Sequence, residues 1–219
     1  MRKTQERITM GLFDKKTCAI CGSQTGAILG LFGSELAGGE YLCPDCRKKC
    51  TPNPNLKFSK MTLDEVKADM AVAAANRQKG TSEFHSTLKI KNGAYRDRSF
   101  LDLDENHGWF MNTALNDGWV YSLDDIYFYT IELTTEKLAE GQTFYADTSR
   151  YPELPKCPDG CRITGASLKI LLLENELGID SLNLNLLTQS GDEKEVRGAY
   201  ACVHDFVEAM KEYRTAHRK

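Results

Sequence analysis

The chain has 219 residues, of which 41% are hydrophobic, and a formal net charge of −3. This length is enough for one large domain or two smaller ones with a real core. We expect a soluble, globular protein, because no apolar run approaches the roughly 20 residues that a membrane-spanning helix requires. Residues 1–60 carry ten Lys and Arg against five Asp and Glu, whereas residues 61–219 carry eighteen against twenty-six. This basic excess is milder than the dense basic stripe of a typical nucleic-acid-binding protein.

The first nine residues are polar and aperiodic, which predicts a disordered or mis-assigned start. Glu6-Arg7-Ile8 can be encoded by a purine-rich stretch that resembles a ribosome-binding site, so translation can begin at Met1 or at Met10. N-terminal mass spectrometry of the native protein distinguishes the two. We expect a cytoplasmic protein with reduced thiols, because the chain shows no leader with an apolar core and a small-residue cleavage site.

Two C-x-x-C pairs, Cys18/Cys21 and Cys43/Cys46, are separated by the twenty-one residues 22–42. Four thiolates at this spacing are typical of a structural zinc site, with one Zn²⁺ held tetrahedrally and no open position for water or substrate. A disulfide framework belongs to small exported chains, and a redox C-x-x-C needs one such pair beside a βαβ pattern. Both alternatives are therefore less favoured than zinc, and Cys50 is left over as a spare.

The residues around these cysteines resemble those of an uncharacterised bacterial zinc-binding family. The resemblance is carried by M-G-L-F-D-K-K-T-C-A-I-C-G, by Leu29, Gly30 and Leu36, and by G-E-Y-L-C-P-D-C. It implies a small module, over residues 10–58, that is similar to a zinc ribbon or treble clef and precedes a β-rich domain. Such a resemblance implies a fold but no reaction.

A helix is predicted from Met61 to Gln78, after a stop at Thr51–Asn55 that two prolines impose. Thr62 and Glu65 have the spacing of a capping box, and Gly80 is the predicted end. We interpret residues 59–80 as a connector helix between the cysteine module and the remainder of the chain.

Residues 81–219 change to alternating patterns that predict about seven strands and a long amphipathic helix from Glu193 to the end. The expected strands are Phe84–Ile90, Phe100–Leu103, Trp109-Phe110, Trp119–Tyr121, Ile126–Leu133, Ala166–Leu173 and Ser181–Thr188, the last two joined as a hairpin through Glu176–Asp180. The predicted fold class is therefore α+β, with a bent antiparallel sheet or partial barrel plugged by the helix.

This second pattern resembles the pleckstrin-homology (PH) superfold in its bacterial forms. The resemblance rests on F-x-x-T-x-x-I at Phe84 to Ile90, on D-D-I at Asp124 to Ile126, and on S-L-K-I before an alternating strand and the last helix. It implies a PH-like domain over 81–219. Residues 140–161 are polar and contain Pro, where the family often has a Gly-rich apolar insertion, so no role of that insertion is transferred.

Other candidate sites have weaker patterns. Cys157 and Cys161 on a Pro/Gly loop could form a reversible disulfide or half of a second metal site, but reduced thiols are favoured because the spacing is loose and no adjacent histidine supplies the missing ligands. The run Asp102–Gly108 fails the requirements of an EF-hand and predicts a polar turn. Asp124-Asp125 at a strand start predicts a solvated turn rather than a catalytic pair. Cys202 is expected in or near the core.

An aromatic cluster and a basic group complete the candidates. Trp109, Trp119 and Tyr121, with the aromatics at 127–129, are expected to pack in the core, with a recognition surface as the alternative. Arg47, Lys48, Lys49, Lys57 and Lys60 are candidates for contacts with phosphates or a partner.

These observations favour a non-enzymatic adaptor that binds a protein partner. We identify no catalytic residues and no small-molecule substrate. A nucleic-acid-associated regulator that uses the basic cysteine module is one alternative. Binding of lipid headgroups by the PH-like domain is another, against which the acidic C-terminal part of the chain argues.

Overall fold

The computed structural model describes residues 15–26, 32–92, 99–113, 118–144, 149–187 and 192–217. The chain forms two compact units that divide between Ala75 and Asn76, and the short segment Glu176–Gly178 belongs to the first unit. This division falls inside the predicted connector at 59–80. Both candidate initiator methionines lie outside the described residues. None of the helices that the described residues form is long and apolar enough to cross a membrane.

The first unit is built on two short antiparallel hairpins. Strand β1 (Lys16–Thr17) pairs with β2 (Gln24–Thr25), and β3 (Ser34–Glu35) pairs with β4 (Tyr41–Leu42). A bridge between Cys18 and Tyr41 joins the hairpins. The short helix α1 (Pro44–Arg47) follows β4, and a 3₁₀ turn (Phe58–Lys60) comes later. Cysteine side chains form much of the core, with Leu36, Tyr41, Leu42 and Val66.

Helix α2 (Leu63–Gln78) begins two residues after the predicted Met61, directly behind the predicted capping residue Thr62. The Thr62 N–H donates to Glu65 Oε2 at 2.7 Å and the Glu65 N–H donates to Thr62 Oγ1 at 3.3 Å, which is the reciprocal geometry of a capping box. The predicted last residue, Gln78, is confirmed, but Gly80 does not stop the chain from coiling further. The α-helix ends at Gln78 and continues as a π-helical turn (Lys79–Glu83), in which Gly80 lies.

The second unit contains two antiparallel meanders. Strands β5 (Leu88–Lys91), β6 (Ser99–Asp104), β7 (Trp109–Asn112) and β8 (Val120–Ser122) form a four-stranded sheet in chain order. Strands β9 (Ile126–Lys137), β10 (Cys161–Leu172) and β11 (Ser181–Leu187) form a three-stranded sheet, with β10 in the centre. Neither sheet closes into a barrel within the described residues, and the fold is mixed helix and sheet, as α+β predicts.

The strands agree with the alternating patterns except at some ends. β9 and β10 are longer than predicted, because their pairing continues to Lys137 opposite Cys161. Phe84 precedes β5 instead of belonging to it, since it follows the π-helical turn directly. β10 and β11 pair antiparallel, which confirms the hairpin, and the predicted last residue Thr188 lies outside the described residues.

Helix α3 (Glu193–Ala216) covers the sheets of the second unit. Asp192 and Glu195 form a capping box at its start, with the Glu195 N–H donating to Asp192 Oδ1 at 2.8 Å. The helix packs on β5, β10 and β11, and thus on strands of both sheets. Its predicted apolar face is buried, as the three-and-four spacing requires: Val196, Ala199, Tyr200, Val203, Phe206, Val207, Met210 and Tyr213.

Candidate metal centre

The two cysteine pairs meet in the first unit. The Sγ atoms of Cys18, Cys21, Cys43 and Cys46 all lie within 4.8 Å of one another, and those of Cys21 and Cys43 are 3.7 Å apart. Four sulfurs bound tetrahedrally at 2.3 Å from one ion would be separated by about 3.8 Å. The cluster therefore has nearly the spacing that a single ion requires.

A tight turn positions the first pair. Gly22 N–H donates to the Cys18 carbonyl at 2.9 Å, and Cys18 N–H donates to the Ser23 carbonyl at 2.9 Å. Gly22 has φ +70°, a conformation that glycine adopts without strain, so the chain can reverse immediately after Cys21. Ala19 N–H donates to the Tyr41 carbonyl at 2.8 Å, which holds this turn beside β4 and the second pair.

The second pair lies at the start of α1. Cys43 is the N-cap residue, and its Sγ accepts from the Cys46 N–H at 3.4 Å. Pro44 is in the first turn, where its missing N–H and fixed φ are tolerated. The Cys43 N–H donates to Cys18 Sγ at 3.4 Å, so a backbone donor also links the two pairs. Such N–H···S bonds orient the sulfurs and compensate negative charge on them.

The surroundings affect the thiols unequally. The hydrogen bond from the Ser23 side chain, with help from its backbone, lowers the pKa of Cys21 to about 6. Burial opposes ionisation of Cys18, but backbone N–H donors from Cys43 and the 18–22 turn bring its pKa below the usual value. Burial and the three neighbouring thiols raise the pKa of Cys46 well above its ordinary value. Three of the thiols are buried and Cys21 is exposed.

The residues fit a bound metal ion. Three buried sulfurs in a cluster of four would repel one another as thiolates, and a divalent cation at the centre removes that cost. Within the described ranges, this is the one group of three or more Cys, His, Asp and Glu that could hold a metal ion. A full set of four protein ligands gives the ion a structural rather than a catalytic position.

The remaining cysteines are apart from this cluster. Cys50 is buried, and its thiol donates to the Cys46 carbonyl at 3.9 Å. Cys157 and Cys161 are half-buried free thiols, and burial, then Cys161 and Asp159, raises the pKa of Cys157. Cys202 is fully buried in α3, as expected.

The five basic candidates surround α1 and the loop after it. All five are exposed, and the contacts of Arg47 and Lys48 have a defined geometry. Arg47 Nη1 donates to the Phe32 carbonyl at 3.0 Å, and its guanidinium lies 5.4 Å from the centre of the Phe58 ring. Lys48 Nζ lies 3.7 Å from a carboxylate oxygen of Asp45. Lys49, Lys57 and Lys60 complete the group.

The aromatic candidates divide between core and surface. Trp119 and Tyr121 are 6% and 5% exposed, so the recognition-surface alternative is wrong for these two rings and core packing applies. Trp109 is half-buried and stacks on His107 at 4.7 Å. Tyr127 and Phe128, by contrast, are 55% and 51% exposed at the start of β9.

Two features of the structure are not predicted by the sequence analysis. Asp104, predicted in a polar turn, has a side chain that is fully buried and accepts from His107 Nδ1 at 2.8 Å and from the His85 N–H at 2.8 Å. The D-x-x-H spacing was the available signal. The second is a cleft beside α1 that Phe32, Arg47 and Phe58 help to line.

Asp124 is exposed, as a solvated turn predicts, and accepts from the Tyr213 hydroxyl at 3.0 Å.

The fold and the site together define an α+β protein with four cysteines positioned to bind one metal ion. Comparisons of the chain with protein-family models, with curated proteins and with solved structures find no match.

Proposed function

We propose that this protein is a non-enzymatic adaptor whose first unit is held together by one structural Zn²⁺ and whose second unit binds a protein partner. The observation that carries the proposal is the cluster of four sulfurs within 4.8 Å. The zinc-ribbon or treble-clef resemblance supports the same assignment of the first unit.

The donor set favours zinc. Four thiolates in a tetrahedron are typical of Zn²⁺ or of iron. The close spacing of the sulfurs fits a single ion better than a cluster of several irons, whose sulfur ligands must lie further apart. Reduced thiols are needed for this site, which is consistent with the proposed location in the bacterial cytoplasm.

The second unit has features that the PH-like proposal requires. Four strands in one meander and three in the next are followed by a helix that packs on strands of both sheets. Three large apolar side chains are exposed where β9 begins and β10 ends: Tyr127 at 55%, Phe128 at 51% and Leu173 at 52%. Phe128 pairs with Leu171, and the Leu173 N–H donates to the Asp125 carbonyl at 2.8 Å, so these residues lie at one end of the strand pair, where a partner can cover them.

Two measurements test the proposal. Elemental analysis of protein purified without added metal should find one zinc per chain, with eight thiols titrated in denaturant with chelator. Iron, or no metal with fewer thiols, would overturn the zinc assignment. For the adaptor role, a partner crosslinked to the full chain in cells should be lost with Phe128→Ser/Leu173→Ser and retained with Thr135→Ala, an exposed control on the same strand β9.

A further inference from the structure

The first unit contains a cleft of about 550 Å³ beside α1. This volume is in the range of clefts that bind ligands. Its walls come from Phe32, from α1, and from the loop 51–58. The residues that fold the metal site therefore also position the cleft.

The chemistry of the lining is mostly apolar with cations at one side. Arg47 and Lys48 supply two positive charges, and Thr51 and Asn53 are polar. As far as the structure describes the lining, it contains no acidic residue. The apolar part consists of rigid rings and one aliphatic side chain: Phe32, Pro44, Pro52, Pro54, Leu56 and Phe58.

The two cations differ in how firmly they are held. The hydrogen bond from Arg47 Nη1 to the Phe32 carbonyl, and the Phe58 ring beneath the guanidinium, keep this charge against the apolar wall. Lys48 makes an exposed ion pair with Asp45, with the two side chains 79% and 87% accessible. Such an exposed pair contributes little, so the pair with Asp45 does not by itself hold Lys48 away from an incoming carboxylate.

Phe32 gives the cleft an apolar surface that water now contacts. Its 63% exposure is the largest of the exposed large hydrophobic residues in the described chain. An apolar side chain placed against this ring would remove surface of both groups from water, which is favourable. The occupant that fits best thus combines an apolar group with negative charge a few ångströms away.

We propose that this cleft binds an extended acidic peptide segment of a partner protein, with an apolar side chain against Phe32 and neighbouring carboxylates at Arg47 and Lys48. The proposal rests on the adaptor function and assigns it a partner chemistry. Single-stranded nucleic acid is less suited, because it needs a longer row of cations and several stacking rings. Lys49, Lys57 and Lys60 are not among the residues that line the cleft.

The test begins with selection of a phage-displayed random dodecapeptide library on the full-length, metal-loaded protein. Enriched peptides should carry Asp or Glu next to a bulky apolar residue. A synthetic copy of the most enriched peptide is then titrated against variants by fluorescence anisotropy.

The matched variants are Lys48→Glu and Lys67→Glu. Both lysines are exposed and pair with an Asp three residues earlier, but Lys67 lies on α2 and is not among the cleft residues. We expect Lys48→Glu to weaken the peptide about tenfold or more and Lys67→Glu to change its affinity less than about twofold. Phe32→Ser should weaken binding similarly, whereas Thr135→Ala, at an exposed position of β9 in the second unit, should not.

Several results would overturn the proposal. They are the absence of any enriched peptide, enriched peptides without acidic residues, and equal effects of Lys48→Glu and Lys67→Glu. Binding of a twenty-nucleotide oligo(dT) that Lys48→Glu selectively weakens would assign the cleft to nucleic acid instead. Each variant must retain its metal, which shows that the first unit is folded. If partner capture in cells depends on Phe128 and Leu173 while the cleft variants have no effect, the adaptor function stands and the cleft assignment fails.

Discussion

Asp104 offers the sharpest test of how the second unit is stabilised. Its fully buried carboxylate ends β6 and accepts three hydrogen bonds: from the His85 N–H at 2.8 Å, from the His107 N–H at 3.2 Å and from His107 Nδ1 at 2.8 Å. Because an ionised carboxylate can only accept, the His107 proton lies on Nδ1. The side chain thus closes the turn between β6 and β7.

Asp104→Ala should lower the free energy of unfolding of the second unit by about 3–5 kcal/mol. Two backbone N–H groups would lose their acceptor, at about 1–3 kcal/mol each, and the loss of the charge-assisted bond to His107 adds to this. Asp104→Asn keeps one acceptor oxygen but turns an NH₂ group toward donors, and should cost about 2 kcal/mol.

Tryptophan fluorescence during urea titration is the appropriate assay. The chain has two Trp residues, Trp109 and Trp119, and both belong to the second unit. The control is Asp102→Asn on the same strand, where a half-buried carboxylate accepts from the nearby Ser99 hydroxyl. This control should cost less than about 1 kcal/mol. Equal effects of Asp104→Ala and Asp102→Asn would refute the reasoning.

The same carboxylate predicts a pH dependence. Burial opposes its ionisation, but the donors from His85 and His107 hold the pKa of Asp104 below its usual range. Folding lowers the pKa of this carboxyl, so its ionised form stabilises the folded protein. This stabilisation is complete at pH values above the pKa in the unfolded chain, and it is lost as the pH falls through the pKa in the folded protein. The stability difference between the native protein and Asp104→Asn should therefore shrink as the pH falls below about 4.

Three further predictions concern other parts of the chain. Cys46→Ser should release the metal and unfold the first unit while the Trp fluorescence transition persists, and Cys50→Ser should leave the metal content unchanged; simultaneous loss of both units would contradict this. Gly108→Ala should cost about 2 kcal/mol in urea titration, because φ is +67° and a Cβ would meet the Tyr213 hydroxyl; an unchanged midpoint would exclude that contact. Cys202 should resist alkylation by iodoacetamide at pH 8 in the folded protein, since burial, then Asp205, raises the pKa of Cys202 to about 12; rapid modification would show that α3 opens there.

Local features of the chain could be predicted from sequence because their physical causes are local. The spacing of Cys18, Cys21, Cys43 and Cys46 specifies a four-ligand cluster once the chain reverses between the pairs, and the structure brings them together. The capping box at Thr62 and the three-and-four spacing of α3 involve residues within a few positions of one another. The alternation of β11 similarly predicts a strand whose two faces differ.

The tertiary structure decided what depends on residues distant in sequence. The D-x-x-H spacing is compatible with the bond between Asp104 and His107, but no local pattern in Asp102–Gly108 reveals that Asp104 is buried, because burial depends on residues distant in sequence. Trp119 and Tyr121 have the same local character as exposed Tyr127 and Phe128, and their positions in the sheets decide which are covered. The cleft likewise exists because Phe32, α1 and the loop 51–58 converge, and each contributes little recognition chemistry alone.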